Sequence, residues 1–453
     1  MYPHLKKLIP IAGSMLLLVM GCRKQDQSFS PSQSITAAPS KTPAGLGKFD
    51  SYILQSWYQL ALQLTKETPG HTPPVAARNF AYMGVAAYEA LVGEMSGHRS
   101  LAGQLNGLHS VPQRQYGHSY LAPVTANAAL ARITRQLFQN ATAVNLGRID
   151  ELENANESMY AGQMSAQIIG RSKEYGYSVA DAIYGWSLTD GGDKGYTRNF
   201  PAEYVPPTGT DKWIATPPAY QLAMLPYWGN NRTMVPANGP GLVDPPAPPT
   251  FSSSDVSAFY QAAYEVYQTG MNRTSEEEKI AMYWDDGGGT SFPPGHNIAI
   301  ALQAIRNHHL DLLDGAVVLA KVGIALNDAA IVCWRAKFNH NLLRPISFIQ
   351  RYIDPTWTTL ISTPPFPTYT SGHSTFSGAV ATVLTSEFGD HVSFTDSTKI
   401  EAGFSPRSFN SFGSYAQEAA MSRLYGGIHY RFDNQEGLTC GQHIAANVEQ
   451  LQW

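Results

Sequence analysis

The stretch FDSYILQSWYQLALQL, from Phe49 to Leu64, marks the point at which a helical pattern begins in this 453-residue chain. Its large apolar residues recur every three or four positions, at Ile53, Trp57, Leu60 and Leu64. That spacing places side chains on one face of an α-helix and is typical of a helix that packs against a core. We therefore predict that the ordered part of the chain opens with a helix.

Further helical patterns follow on the C-terminal side, after a proline-rich break at residues 69–74. They cover residues 76–96, 122–143, 148–175, 254–269, 275–284, 294–309, 311–338, 374–388, 413–426 and 437–451. No run of alternating apolar and polar residues, the sign of a half-buried strand, emerges between them. The pattern predicts an all-α fold with a helical-bundle architecture.

The segment 177–250 departs from this pattern because it is rich in Gly, Pro, Tyr and Trp. A long loop inside a compact domain is uncommon and is usually either functional or wrongly assigned. We interpret it as an ordered, aromatic-rich insertion between two helical halves, and its role stays open at this point.

On the N-terminal side, MYPHLKKLIPIAGSMLLLVMGC has two early lysines and a short apolar run, the layout of a secretion signal. Residues Val19 to Cys22 resemble a bacterial lipobox, which implies cleavage before Cys22 and lipid attachment to its thiol. A plain signal peptide cut nearby is the alternative. We predict a signal peptide at 1–21, a flexible tether at 22–46 and one α-helical domain at 47–453. The predicted location is periplasmic or at the cell surface, with the lipid as membrane anchor.

Composition limits the class of protein further. Apolar residues make up 43% of the chain and charged residues 15%, which indicates a large buried core. The formal net charge is −4 and no basic stripe is present, so nucleic acid is not an expected partner. Beyond Cys22, the two cysteines Cys333 and Cys440 lie in apolar helical stretches and are interpreted as buried, inert thiols.

Two separated stretches carry groups suited to binding an anion. In KFNHNLLRP, Lys337 and Arg344 are seven residues apart, which predicts two cations on one helix face, with Pro345 at the helix end. In TPPFPTYTSGHSTFSG, Ser371 and Gly372 stand at a predicted helix start, where a hydroxyl and backbone N–H groups can bind an anion.

A third stretch, SRLYGGIHYRFD from Ser422 to Asp433, adds a further arginine and a histidine–carboxylate pair. His429 and Asp433 are four residues apart, so the carboxylate can accept a hydrogen bond from the imidazole. Each stretch alone is more often a solvated face, a turn or a surface ion pair. If packing brings them together, however, three buried cations require an anion, and two guanidinium groups suit a tetrahedral oxyanion.

In this order, the three stretches resemble the signature of the superfamily of type 2 phosphatidic acid phosphatases and vanadium-dependent haloperoxidases. That signature runs Lys, six residues, Arg-Pro; then Pro-Ser-Gly-His; then Ser-Arg, five residues, His, three residues, Asp. The chain matches it at every functional position between Lys337 and Asp433, and Thr370 stands where proline is usual. The resemblance also implies the family's α-helical fold.

The resemblance implies a role for each residue of the signature. His429 would be the vanadium ligand or the phosphoryl nucleophile, oriented by Asp433, and His373 would be the acid–base group. The oxyanion would be bound by Lys337, Arg344, Ser371, Gly372 and Arg423.

The surroundings resemble the haloperoxidases more than the phosphatases. Apolar residues at Trp334 and Phe366 match their halide site, and MYWDDGGGTSFPPGHN resembles a segment in which Tyr283 would face the halide. In that segment Asp286 would pair with the cations of the site. Ordinary helix packing is the alternative for each aromatic residue, and packing or surface exposure is expected for Asp285, His296, His340 and His443.

We therefore predict a vanadate-dependent haloperoxidase that oxidises halide, with iodide or bromide favoured, using hydrogen peroxide. The predicted cofactor is vanadate, and an organic acceptor is a further candidate partner. An exported acid phosphatase with His429 as nucleophile is the first alternative. A non-catalytic surface lipoprotein that binds glycans or peptides is the alternative from a different class.

Overall fold

A computed structural model describes residues 49–453. The predicted signal peptide, the lipid attachment at Cys22 and the tether lie outside the described residues. The described range forms α1 (Tyr52–Glu67), α2 (Pro73–Leu91), α3 (Ala122–Leu137), α4 (Ala143–Ser158), α5 (Ala166–Ser187), α6 (Ala258–Met271), α7 (Ser275–Tyr283), α8 (Phe292–Asn307), α9 (Leu312–His340), α10 (Pro345–Tyr352), α11 (Gly372–Phe388), α12 (Phe412–Tyr425) and α13 (Arg431–Glu449). Two short strands, β1 (Phe394–Asp396) and β2 (Arg407–Phe409), pair antiparallel between α11 and α12. The prediction of an all-α helical fold is confirmed.

The helix α9 is the centre of the fold. Nearly every residue from Leu312 to Lys337 is buried, because other helices pack around it on all sides. By length and composition it could cross a membrane, but its most apolar window is entirely buried inside the domain. Such burial is what a core helix of a large bundle requires.

Small residues let the central helices approach closely. A Cβ atom added at Gly323 of α9 would lie 2.8 Å from the Cα of Ala81 in α2. Likewise, a Cβ at Gly378 of α11 would lie 2.7 Å from the carbonyl oxygen of Leu438 in α13. Contacts this short exclude any side chain, so α2 packs directly on α9, and α11 on α13.

The contact between α11 and α13 brings their N-termini together. The backbone N–H of Ser371, which precedes α11, donates to the carbonyl oxygen of Asp433 in the first turn of α13 at 3.0 Å. The second and third motif stretches of the sequence are thereby joined.

Two local predictions were wrong. Lys337 and Arg344 do not share one helix face, because α9 ends at His340, where Asn341 adopts a left-handed conformation, and Arg344 directly precedes α10. The segment taken as an insertion from residue 177 is helical as far as Ser187, since α5 continues that far. Its Gly and aromatic residues obscured a helical pattern.

Residues 188–250 follow an irregular path with short 3-10 turns. The path is held to the core by Asp328 of α9, which is fully buried and accepts hydrogen bonds from the backbone N–H groups of Met234 and Val235 at 2.7 and 3.0 Å. The segment is therefore packed on the bundle.

Candidate active site

The three motif cations are all buried and converge on one imidazole. Lys337, Arg344 and Arg423 are each at most 3% exposed. Burial lowers the pKa of His429 well below its usual value, and the charges of these three residues lower it further. His429 is consequently neutral at ordinary pH, with three cations around it.

The donors of Lys337 are directed at the loop that precedes α11. Its Nζ donates to the carbonyl oxygens of Pro367, Thr368 and Thr370, the first two at 3.0 Å. An ammonium group has three N–H donors, so all of them are used. Burial lowers the pKa of Lys337. In this geometry Lys337 contributes charge and holds the loop in place, and it has no further N–H donor to offer an anion.

The two arginines, by contrast, keep unpaired donors. Arg344 donates from Nε to Phe366 and from Nη1 to Ile428, both carbonyl oxygens at 2.8 Å, while its Nη2 has no partner within the described residues. Arg423 donates from Nη1 to the carbonyl of Trp284, and its Nε is likewise unpaired. Burial lowers the pKa of these arginines to about 9 and about 10. Buried cationic donors without a partner are costly, so the site is suited to an anion.

The tautomer of His429 follows from its neighbours. Nη1 of Arg344, which can only donate, lies 3.1 Å from Nε2, so Nε2 must present its lone pair. Nδ1 therefore carries the hydrogen, which it donates to Oδ2 of Asp433 at 2.8 Å. Nε2 is therefore the ring nitrogen whose lone pair can bind a ligand or an electrophile, in exchange for its contact with Arg344.

Thr368 completes the support of this pair and was missed by sequence reasoning. Its hydroxyl lies 3.1 Å from Nδ1 of His429 and donates to Oδ2 of Asp433. Burial raises the pKa of Asp433, and the hydroxyl opposes that rise. Thr368 lies two residues before Thr370 in a loop, and no spacing rule pointed to it.

The N-terminus of α11 supplies further donors. Ser371 is its N-cap and accepts a hydrogen bond at Oγ from the N–H of Ser374 at 3.4 Å, which leaves the hydroxyl hydrogen free to donate. Gly372 is the first helical residue, so its N–H has no acceptor within the helix. Together with Lys337, Arg344 and Arg423 these two residues form what we call the oxyanion site.

His373 lies beside the oxyanion site. Burial first, and then the charge of Arg423, lower its pKa to about 3, so the ring is neutral at ordinary pH. Its Nε2 has no hydrogen-bond partner among the described residues and lies 3.7 Å from Oδ2 of Asp286. That separation is too long for a hydrogen bond, so Nε2 can accept or donate a proton toward a bound molecule.

Asp286 was expected to pair with the cations of the oxyanion site. Its direct partners are instead Lys399, which donates to Oδ1, and His296, whose Nδ1 lies 3.0 Å from Oδ2. The other ring nitrogen of His296 lies 2.9 Å from Oδ2 of Asp396. His296 was assigned to packing, because Asp396 is 100 residues away in sequence and no local pattern links the two.

The predicted halide residues occupy two places. The rings of Trp334 and Phe366 lie 5.0 Å apart, and Phe366 also packs against the charges of Lys337 and Arg344, at 4.9 and 5.0 Å. Tyr283 packs against His296 instead, with its hydroxyl directed to the carbonyl of Asp396 at 3.3 Å. Only the first two residues form an aromatic wall next to the cations.

The segment 188–250 covers that wall. Nε1 of Trp334 donates to the carbonyl of Met224 at 3.2 Å, and the N–H of Met224 donates to the carbonyl of Pro365 at 2.8 Å. This segment, whose role the sequence left open, therefore packs against the aromatic wall next to the cations.

Known proteins similar to this chain include vanadium haloperoxidases. A family model described as the VCPO second helical-bundle domain matches residues 317–452. The vanadium chloroperoxidase of Curvularia inaequalis is 26% identical over 262 residues, which are 42% of this chain and 43% of that protein. The chain thus spans less than half the length of this curated relative.

Two solved structures are also similar. The first bacterial vanadium-dependent iodoperoxidase is 34% identical, with a TM-score of 0.81 over 90% of this chain and 98% of that one. A holo-type bacterial vanadium-dependent chloroperoxidase is 14% identical, with a TM-score of 0.65 over 85% of this chain and 93% of that one. The second similarity concerns the fold alone.

Proposed function

The chain belongs to the vanadium-dependent haloperoxidase family, and from this premise we propose that it oxidises a halide with hydrogen peroxide, using vanadate bound at the oxyanion site. One observation carries the proposal. The lone pair of His429 Nε2 faces Nη1 of Arg344, and Arg344 and Arg423 are buried and keep N–H donors that are unpaired within residues 49–453. These groups fit vanadate, which needs one nitrogen ligand and several donors to its oxygens.

The residues divide the binding of vanadate among them. Nε2 of His429 would be the metal ligand. Asp433 accepts a hydrogen bond from Nδ1 of the same ring, and the hydroxyl of Thr368 lies beside that nitrogen, so both residues hold the ring in place. Arg344, Arg423, Ser371 and Gly372 would donate to the oxygens, while Lys337 adds charge through the loop. When bound, vanadate supplies a Lewis-acidic centre that activates hydrogen peroxide for oxygen transfer to the halide.

His373 is proposed as the acid–base group. Because its ring is neutral, Nε2 can take a proton from hydrogen peroxide as it binds and return it to the departing oxygen. The nearby carboxylate of Asp286 would stabilise the imidazolium that forms while the proton is held.

The proposed halide is iodide or bromide. Trp334 and Phe366 form an apolar wall beside the positive charges of Lys337 and Arg344, an environment that removes water from a large, weakly hydrated anion. The 34% identity to a protein described as an iodoperoxidase supports iodide.

Purified protein reconstituted with orthovanadate provides the test. We expect peroxide-dependent formation of triiodide from iodide, measured by absorbance, and halogenation of a phenol dye with bromide. Hydrolysis of p-nitrophenyl phosphate without vanadate is followed in parallel, because a phosphatase would use the same histidine as nucleophile. Phosphatase turnover that vanadate abolishes, with no halide oxidation between about pH 5 and 8, would overturn the proposal.

We also propose that the protein is exported and held at a membrane by a lipid on Cys22. The support is the sequence from Lys6 to Cys22, with its paired lysines, apolar run and lipobox-like end. Metabolic labelling with an alkyne fatty acid should mark the wild type and not a Cys22→Ser variant. Equal labelling of the two proteins would contradict the lipid anchor.

A further inference from the structure

A buried imidazole clamped between two carboxylates lies behind His373. His296, in the second turn of α8, is 3% exposed, and its ring nitrogens lie 3.0 and 2.9 Å from carboxylate oxygens of Asp286 and Asp396. Its ring stacks on Trp284 at 4.5 Å. The two carboxylates come from the loop before α8 and from the end of β1, so three separate segments meet at this ring.

The geometry determines the protonation of this ring. A neutral imidazole has one N–H donor, and its other nitrogen would then present a lone pair to a carboxylate oxygen, which is repulsive. Two short contacts to ionised carboxylates therefore require hydrogen on both nitrogens. Although burial opposes it, the charges of Asp286 and Asp396 raise the pKa of His296 to about 9, in agreement with the geometry.

Lys399 completes a neutral group of four. Its Nζ donates to Oδ1 of Asp286, on the side of the carboxylate away from the contacts of Oδ2. Two carboxylates are thus balanced by one ammonium and one imidazolium, which makes their burial tolerable. Lys399 therefore contacts Oδ1 of Asp286 and His296 contacts Oδ2, the oxygen that also faces His373.

We propose that His296 is a positioning residue for His373: as an imidazolium clamped between Asp286 and Asp396, it fixes the Asp286 carboxylate against Nε2 of His373. The acid–base role of His373 rests on the proposed function, whereas the clamp itself does not. Asp286 needs such support because its backbone adopts a positive φ of 45°, a conformation uncommon for a residue with a side chain.

The clamp also balances the charge that acts on His373. An isolated Asp286 carboxylate at 3.7 Å would draw a proton onto the ring, and the ring could no longer accept one from a substrate. With His296 and Lys399 opposing it, the carboxylate can orient the ring and leave it neutral. The charged or titratable groups around the two histidines are Asp285, Asp286, Asp396, Lys399, Arg423, His429 and Tyr283.

The test compares His296→Gln with His443→Gln, a control on the exposed face of α13. NMR of the vanadate-free protein with ¹⁵N-labelled histidine should show one ring protonated on both nitrogens at pH 8, which disappears in His296→Gln only. The ring signals of His373, assigned from a His373→Ala variant, should shift in His296→Gln. In the reconstituted enzyme we expect kcat to fall about tenfold to hundredfold, with KM for iodide within about twofold. The acidic limb of the kcat profile should move to higher pH.

Two results would overturn the inference: a neutral His296 ring at pH 6 to 8, or His373 signals and a pH profile that do not change in His296→Gln. If His296→Gln fails to fold, Asp396→Asn removes the far carboxylate without changing its shape, and the doubly protonated signal of His296 should then be lost at a lower pH than in the wild type. An unchanged pH of that loss would overturn the clamp. Because the NMR experiment needs no turnover, it decides the clamp even if halide oxidation is absent. That combination would refute the proposed function and leave the clamp standing.

Discussion

Replacing Thr368 by valine tests whether the orientation of His429 governs the affinity for vanadate. The change keeps the shape of the side chain and removes the hydroxyl that donates to Oδ2 of Asp433 and lies 3.1 Å from Nδ1 of His429. After the change, Oδ2 retains two donors, His429 Nδ1 at 2.8 Å and the N–H of Tyr430 at 3.1 Å. Loss of the hydroxyl should raise the pKa of Asp433 further, so the carboxylate is a weaker acceptor for the imidazole N–H.

The magnitude follows from the lost hydrogen bond. A hydrogen bond to a charged group contributes about 1.5–3 kcal/mol, and Asp433 is fully buried, so no water replaces the hydroxyl. If most of that energy orients the ligand nitrogen, the dissociation constant of vanadate should rise about 10- to 100-fold. The same range is found when an outer partner of a metal-binding histidine is removed elsewhere.

The assay is calorimetric titration of the vanadate-free protein with orthovanadate, checked by the vanadate dependence of iodide oxidation. Thr363→Val is the matched control, because the Thr363 hydroxyl lies in the same loop, is buried and has no hydrogen-bond partner among residues 49–453. Vanadate affinity of Thr368→Val within about twofold of both wild type and control would refute the reasoning. Thermal unfolding of each variant separates a local effect from loss of the fold.

Three further predictions concern the histidines and the helix packing. His429→Ala should abolish vanadate binding in calorimetry, whereas His373→Ala should bind vanadate and lose about 100-fold or more in kcat; full activity of both variants would refute the assigned roles. Because the pKa of His296 is raised to about 9, its contribution to stability is complete below pH 6.5 and is lost as pH rises through 9. Urea unfolding should show that the unfolding free energy falls by about 3 kcal/mol between pH 6.5 and 9. The same pH dependence in His296→Gln would contradict this prediction. Gly378→Ala should lower the unfolding free energy by about 1–3 kcal/mol, since the added Cβ would lie 2.7 Å from the carbonyl oxygen of Leu438. Gly147→Ala, where the added Cβ meets open space, should raise it by up to about 1 kcal/mol. Equal effects of the two changes would argue against close packing of α11 on α13.

Much of the architecture could be read from local pattern. Helical periodicity in the stretch from Phe49 to Leu64 and in the later segments predicted the all-α fold, because an amphipathic helix carries its own signature at a spacing of three to four residues. The ends of the helices were predicted less accurately. The helix α5 continues to Ser187 through Gly and Tyr residues that were assigned to a loop. Burial of that face by neighbouring helices outweighs the weak intrinsic preference of such residues.

The candidate site divides in the same way. The link between His429 and Asp433 lies within five residues, so its spacing alone predicted the contact that the structure contains. Lys337 and Arg344 are both buried and Arg344 lies 3.1 Å from the ring of His429, but the single helix assigned to the two cations breaks at Asn341. The left-handed residue there turns the chain and brings Arg344 to the ring by a route that periodicity does not reveal.

The amino-acid sequence by itself therefore determined the helical class of the protein and the set of motif residues that meet around His429. The tertiary structure alone decided that Lys337 uses its donors on a loop, that Thr368 supports Asp433, and that His296 joins Asp286 to Asp396. The physical reason is that these contacts join segments distant in sequence. Hydrogen bonds and charge balance between such segments depend on how helices pack, and a linear pattern records only neighbours along the chain.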